Sequence, residues 1–279
     1  MICAFVAGRS LCILNYNDGE SRRVAAWSSR VYLEFERERT RAARDLLAHI
    51  AKTPEGGVFD LGCGPGNSTE LLCKAFPNAD VVGVDISADM LASARARLPC
   101  ARFIESDIEN WRPPAPAGLI FANASLQFVA DHRERLVQLV DCLAEEGVLA
   151  AQMPDNIHEI SHALMRMVAA DGPWADRLVP IAKTRMLVGP VESYYELLQS
   201  RCAQLDIWHT TYVHPLKSVN DIVRWFEGSA LQPFLDALDE SERRAFLSRY
   251  RDALADAYPL QSDGRVLLRY PRLFIVLRK

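Results

Sequence analysis

An α/β fold is predicted: a seven-stranded, mostly parallel sheet with helices on both faces and a helical cap inserted among the last strands. Three features carry the prediction. Short apolar runs alternate with amphipathic segments between residues 58 and 153, the pattern of parallel strands joined by crossover helices. A glycine-rich loop stands where the first of these strands gives way to a helix. After Pro154 the alternation breaks, and helical blocks interrupt the remaining strands.

Residues 1–24 show no sustained period. In residues 30–50, Val31, Phe35, Leu46, Leu47 and Ile50 recur at near-helical spacing among Arg and Glu, and Thr53-Pro54-Glu55-Gly56-Gly57 ends that amphipathic helix. Residues 58–61 read as a strand, 67–76 as a helix and 79–85 as a second strand. Ser87 is the expected N-cap of a helix running to residue 98. Strands at 101–105, 119–123 and 148–153 follow, with a helix over 133–143 before the last of them. Residues 156–170 and 193–200 read as helices joined by a segment containing Pro173, Pro180, Gly189 and Pro190. Residues 204–213 are rich in β-branched and aromatic side chains and read as a strand. Residues 218–258 are helical again, and 265–278 form a final long strand. The cap, about 156–202 and 216–262, is expected to cover the ligand edge of the sheet rather than to fold as an independent domain.

Composition narrows the function. With 32 basic and 36 acidic residues the net charge is −4, so there is no surplus to neutralise a run of phosphates, and no nucleic-acid partner is expected. That sum says nothing against a small anionic substrate held by local Arg residues. The seven Cys stand singly with no C-x-x-C pair, which argues against a disulfide framework, a zinc ribbon or an iron–sulfur site and for reduced thiols in the cytoplasm. No run approaches about 18 apolar residues, so no membrane span is expected, and no obligate protein partner is implied.

The main motif is Asp60-Leu61-Gly62-Cys63-Gly64-Pro65-Gly66-Asn67-Ser68. Glycines between a strand and a helix let the backbone turn tightly and approach a ligand. A dinucleotide fold wants G-x-G-x-x-G, but Asn67 occupies the third glycine position, which disfavours a nicotinamide-dependent dehydrogenase. The acid at Asp60 would repel a phosphate and accept from a cationic amino group. Asp85 closes the next strand, where a carboxylate takes both hydroxyls of a ribose. Asp107 follows the third strand, where an adenine amino group would lie. Three acids at the carboxyl ends of successive strands mark the ligand edge of an open sheet.

The loop, Asp85 and Asp107 resemble motifs I, II and III of the class I S-adenosylmethionine-dependent methyltransferases, whose Rossmann-like sheet has an antiparallel last strand. The resemblance narrows at 121–127, 152–156, 206–208 with 210–212, and 271–276, which together look like the trans-aconitate 2-methyltransferase family. It runs from about Trp27 to Lys279, so the methyltransferase domain is read as 27–279. Residues 1–26 are read as an extension, disordered or a non-native start, with Val24, read from a GUG codon, as the expected native start. The resemblance implies S-adenosylmethionine as cofactor, contacted by Asp60, Gly62, Cys63, Gly64, Gly66, Asn67, Asp85, Ile86, Asp107, Ile108 and Asn123. It implies methylation of a carboxylate oxygen of trans-aconitate to a monomethyl ester.

A carboxylate is already ionised at neutral pH, so no acid–base residue is assigned. A tricarboxylate does need fixed cations or hydroxyls for its non-reacting groups. The candidates are Arg272, Arg185, Arg177, Tyr194, Tyr195 and Tyr32. Another small di- or tricarboxylate, or a malonyl thioester, is the nearest alternative substrate. His158-Glu159-Ile160-Ser161-His162 matches the H-E-x-x-H zinc motif, a remote metalloprotease alternative for which no third ligand is marked; no metal is expected. Trp208, Trp225 and Phe226 read as core packing of the cap, and His214, near the cap, reads as a core or surface His that could touch substrate.

Overall fold

The computed structural model describes residues 34–50, 55–183 and 187–279, so the N-terminal extension and Val24 fall outside the described residues. The elements run α1 (Glu36–Ala48), β1 (Gly57–Leu61), α2 (Asn67–Ala75), β2 (Val81–Asp85), α3 (Ala88–Arg97), β3 (Arg102–Glu105), β4 (Ala117–Asn123), α4 (His132–Asp141) and β5 (Leu143–Pro154). They continue with α5 (Ile160–Ala170), α6 (Ala175–Lys183), α7 (Val191–Leu198), β6 (Gln204–Leu216), α8 (Val219–Glu227), α9 (Gln232–Asp236), α10 (Glu240–Ala257) and β7 (Val266–Arg278).

The strands form one seven-stranded sheet in the order β3-β2-β1-β4-β5-β7-β6. β1 to β5 pair in parallel, and β7 runs antiparallel between β5 and β6, as expected. The chain steps outward from β1 to β3 and then returns to β4 on the other side of β1. This reversal opens a crevice at the carboxyl ends of β1 and β4, where open α/β sheets bind ligands.

Each sheet face has its own apolar core. One packs Val58, Leu119, Phe121, Ala150 and Phe274 under α1, α2 and the helices α5, α6, α8, α9 and α10. The other packs Leu61, Val84, Ile120, Ala151 and Ile275 under α4 and α7. Successive strand residues point to opposite faces. Asp60, Asn123, Gln152 and Arg272 therefore share the face that carries α1.

Three local outcomes differ from the sequence pattern. Residues 175–183 form a helix despite Pro180 in its interior. The lost backbone bond costs about 3 kcal/mol, and burial of Trp174 and Leu178 offsets it. The long helical stretch after Ser218 is three helices, broken at Gly228 and restarted by a capping box between Asp239 and Glu242. The helix expected over 156–170 begins only at Ile160.

Candidate active site

Asp60 is the penultimate residue of β1, between buried Phe59 and Leu61, and has no solvent exposure. Its Oδ2 accepts from Ser68 Oγ at 2.7 Å and Thr69 Oγ1 at 2.6 Å, both in the first turn of α2. Its Oδ1 has no hydrogen-bond partner. Burial outweighs the two hydroxyls, and the like charge of Asp85 adds to it, so the carboxyl is pushed up to about 6. Ser68 and Thr69 have no role expected from the sequence; their signal is two hydroxyls in the first helical turn after the glycine loop, eight and nine residues beyond Asp60.

The loop between β1 and α2 folds back on β2, with Gly62 and Cys63 N–H groups donating to Val84 O at 2.7 and 3.1 Å. Gly62 has φ +67°, and a Cβ there would stand 2.3 Å from Ser125 Cβ. Gly64 has φ +53° with no atom within 4 Å of a Cβ position, so its backbone faces open space. Cys63 is buried, and burial with the nearby Asp60 and Asp85 charges pushes its thiol far up, which removes it as a nucleophile.

Asp85 sits beside this loop. Its Oδ2 accepts from Gly64 N at 2.8 Å and its Oδ1 from Ser87 N at 2.9 Å. Burial raises its carboxyl, and those backbone N–H groups oppose the rise. Each oxygen keeps lone-pair capacity toward the crevice. Ser87 caps α3 as predicted, accepting from Met90 N at 3.4 Å. Ile86 is 43% exposed beside Asp85. Asp107 is exposed, with Oδ1 accepting from Glu109 N at 2.9 Å. Ile108 is half-buried, and its carbonyl accepts from Arg135 Nε at 2.8 Å. Asn123 ends β4 with its Oδ1 buried and unpartnered. Asn67 turns away from the loop, donating to Glu36 Oε1 at 2.7 Å. Arg97 joins that contact, 2.7 Å from Glu36 and 3.0 Å from Glu70, so α1 is clamped to the start of α2.

The candidate anion-binding residues scatter. Arg272 is buried at the level of Pro154 on β5 and Thr210 on β6, and donates to Gln152 Oε1 at 2.7 Å. Arg177 is exposed and pairs with Glu242, tying α6 to α10. Tyr194 is buried on the opposite face, its hydroxyl 2.7 Å from His132 Nε2 and 3.2 Å from the Gly189 N–H that donates to it. Tyr195 lines an open groove with Val191, Leu205 and Ile207 near the start of β6. Tyr32 and Arg185 lie outside the described residues.

The H-E-x-x-H geometry does not form. His158 is exposed and precedes the helix, Glu159 pairs with Arg269 at 3.6 Å, and buried His162 stacks edge-on against Phe226. Two ligands at i and i+4 need one continuous helix, and this one starts after His158. No group of three metal-ligating side chains occurs among the described residues. No helix among them is long and apolar enough to cross a membrane.

Comparison with known proteins places this geometry. Residues 58–147 match the family described as Methyltransferase domain. The chain is 52% identical over 256 residues to a trans-aconitate 2-methyltransferase of Rhodopseudomonas palustris (strain HaA2), covering 92% of this chain and all of the relative. It is 51% identical over 250 residues to the protein of the same name from Yersinia pestis (strain Pestoides F), covering 90% and 97%. Among solved structures, the YcgJ protein of Bacillus subtilis superposes with TM-score 0.55 at 15% identity, covering 85% of this chain and 97% of that one. A Haemonchus contortus phosphoethanolamine N-methyltransferase 2, in complex with phosphomonomethylethanolamine and S-adenosylhomocysteine, superposes with TM-score 0.50 at 14% identity, covering 85% and 52%.

Proposed function

Because the chain belongs to the trans-aconitate 2-methyltransferase family, we propose that it uses the crevice between β1 and β4 to transfer a methyl group from S-adenosylmethionine to a carboxylate oxygen of trans-aconitate. It is an S-adenosylmethionine-dependent methyltransferase with a class I α/β fold. The observation that supports this use of the crevice is the buried Oδ1 of Asp60, an ionisable acceptor without a partner beside a loop with open space at Gly64. A ligand carrying an ammonium group that lies against backbone is what those two features suit.

In this reading Asp60 accepts from the cofactor's ammonium, Asp85 from its ribose hydroxyls and Asp107 from its adenine amino group. Ile86 and Ile108 flank the ring, and the Gly62, Cys63 and Gly64 backbone lies along the cofactor with Gly66 opening the helix. Asn67 positions α1 through Glu36, and Asn123 points toward the reacting groups from the end of β4. Bound S-adenosylmethionine supplies an activated methyl group. The substrate carboxylate is ionised at neutral pH, so no side chain has to take a proton from it. The protein's work is alignment, where orientation supplies about 7–11 kcal/mol, and exclusion of water while opposite charges combine. Arg272 holds a non-reacting carboxylate. Arg177 is committed to Glu242, so Arg177→Ala is expected to leave KM for the acid substrate within twofold in steady-state assays. We place the reaction in the cytoplasm, on a free small molecule without nucleic-acid or obligate protein partners.

The test is a methyl-transfer assay over trans- and cis-aconitate, citrate, isocitrate, itaconate and a malonyl thioester. The highest kcat/KM is expected for trans-aconitate. Preference for another acid would replace the substrate, and no transfer to any of them would overturn the reading.

A further inference from the structure

Beneath the cap, five side chains meet on the α1 face of the sheet. Gln152, Arg272 and His214 come from β5, β7 and β6; Arg39 comes from α1 and Trp225 from α8. All are buried, from 0% exposure at Gln152 and Trp225 to 8% at Arg39. They are contiguous. Arg272 donates to Gln152 Oε1 at 2.7 Å, and its guanidinium lies 4.7 Å from the Tyr270 ring. Tyr270 is 5.5 Å from Trp225, and His214 is 4.9 Å from Trp225 between ring centroids. Arg39 lies 4.7 Å over Trp225 and donates to its backbone carbonyl at 2.7 Å.

Two of the polar atoms this cluster leaves open are fixed N–H donors. Gln152 Nε2 and Trp225 Nε1 are N–H donors, each buried with no hydrogen-bond partner, and His214 Nε2 is likewise buried and unpartnered. A buried donor left unpaired is destabilising, and an acceptor from a ligand would relieve that. Burial, reinforced by Arg272, Arg41 and Arg39, pushes His214 down to about 4, so at neutral pH its ring is uncharged and one nitrogen donates. The nearby acid, Asp45, already accepts from Tyr212 Oη at 2.6 Å. Guanidinium groups, unpaired N–H donors and a water-free setting are the chemistry that recognises a carboxylate.

We propose that Arg39, Trp225 and His214 join Arg272 and Gln152 in a pocket that takes the third carboxylate of a tricarboxylate and so selects tricarboxylates over dicarboxylates. The proposal rests on the methyl-transfer reading above and deepens it. Arg272 sits two residue pairs beyond the Asn123–Gln152 pairing, opposite Pro154 at the carboxyl end of β5. A carboxylate held there leaves another reaching back toward the crevice between β1 and β4. The selection is by charge and donor geometry, because the buried Gln152 and Trp225 N–H donors stay unpaired when that carboxylate is missing.

The experiment titrates trans-aconitate, citrate and itaconate into protein loaded with S-adenosylhomocysteine, alongside methyl-transfer kinetics with trans-aconitate and itaconate. Trp225→Phe removes one N–H and keeps the ring; Arg39→Gln removes one charge. Binding and KM for trans-aconitate are expected to weaken about 3- to 10-fold in W225F and at least 10-fold in R39Q. Itaconate, with one carboxylate fewer, should change less, and S-adenosylhomocysteine affinity should stay within twofold, which also reports an intact fold. Equal weakening for both acids, or none for either, would overturn the pocket; if R39Q fails to fold, W225F alone decides. Wild-type protein that binds these acids without methylating them overturns the methyl-transfer reading and leaves the pocket to the variants' binding data. Wild-type protein that binds none of them overturns both.

Discussion

Asp60→Asn is expected to weaken S-adenosylhomocysteine binding by about 10- to 100-fold and, at the same time, to stabilise the ligand-free protein at pH 7. The two effects share one cause. Asp60 is fully buried, and two hydroxyl bonds leave its Oδ1 without a partner, so its carboxyl titrates near 6 instead of 3.8. A raised carboxyl binds its proton more tightly in the folded state. Between about pH 4 and 6 the folded protein therefore holds more protons than the unfolded chain, and stability falls as pH rises through that window. By pH 7 the ionised Asp60 costs on the order of 2–3 kcal/mol. Asparagine accepts the same two hydroxyl bonds without the charge, so chemical denaturation should show a gain of that order or smaller. In the proposed function the cofactor's ammonium is the missing partner, and a hydrogen bond to a charged group is worth about 1.5–3 kcal/mol, which sets the expected affinity loss. Wild-type affinity should also rise with pH up to about 7 and then level off. The Asp60→Asn protein should lack that rise. An unchanged affinity in Asp60→Asn would remove Asp60 from the site.

Gly62→Ala is expected to cost about 2–4 kcal/mol of stability and most of the cofactor affinity. Its φ of +67° strains any side chain, and the new Cβ would stand 2.3 Å from Ser125 Cβ. Neither atom is the far end of a flexible chain, so the loop after β1 or the turn after β4 must move. Either displacement pulls Gly62 N from Val84 O and disturbs Gly64, whose N–H donates to Asp85. Gly64→Ala is the contrast. Its φ of +53° with open space around a Cβ costs only about 1 kcal/mol. Scanning calorimetry should separate the two variants by several degrees, and equal melting temperatures would refute the packing argument.

The glycine loop, Asp85 and Asp107 are legible because their chemistry is local: an acid or glycine at the carboxyl end of a short apolar run. The parallel half of the sheet is legible for the same reason. The helix carrying Pro180 is not, since only the tertiary burial of Trp174 and Leu178 holds it together. Of the residues proposed to bind substrate, Arg272 is legible at the end of the last strand and the others are not. Arg39 is one of six Arg and Glu residues in α1, and no spacing rule tells a buried guanidinium from a solvated one. Arg177 has the right chemistry but is spent on Glu242. Trp225 reads as core because it is core, and His214, which the sequence leaves between core, surface and substrate contact, is buried too; what distinguishes both is an unpaired nitrogen, which only the packed structure exposes.

The account stands on a nucleoside cofactor lying at the carboxyl edge of β1 and β2. Asp85 tests it most directly, because its oxygens face both the loop and the place assigned to the ribose. Calorimetric titration of S-adenosylhomocysteine into the wild-type protein and Asp85→Ala should show at least a 100-fold rise in Kd for the variant. Equal dissociation constants for the two proteins would contradict it.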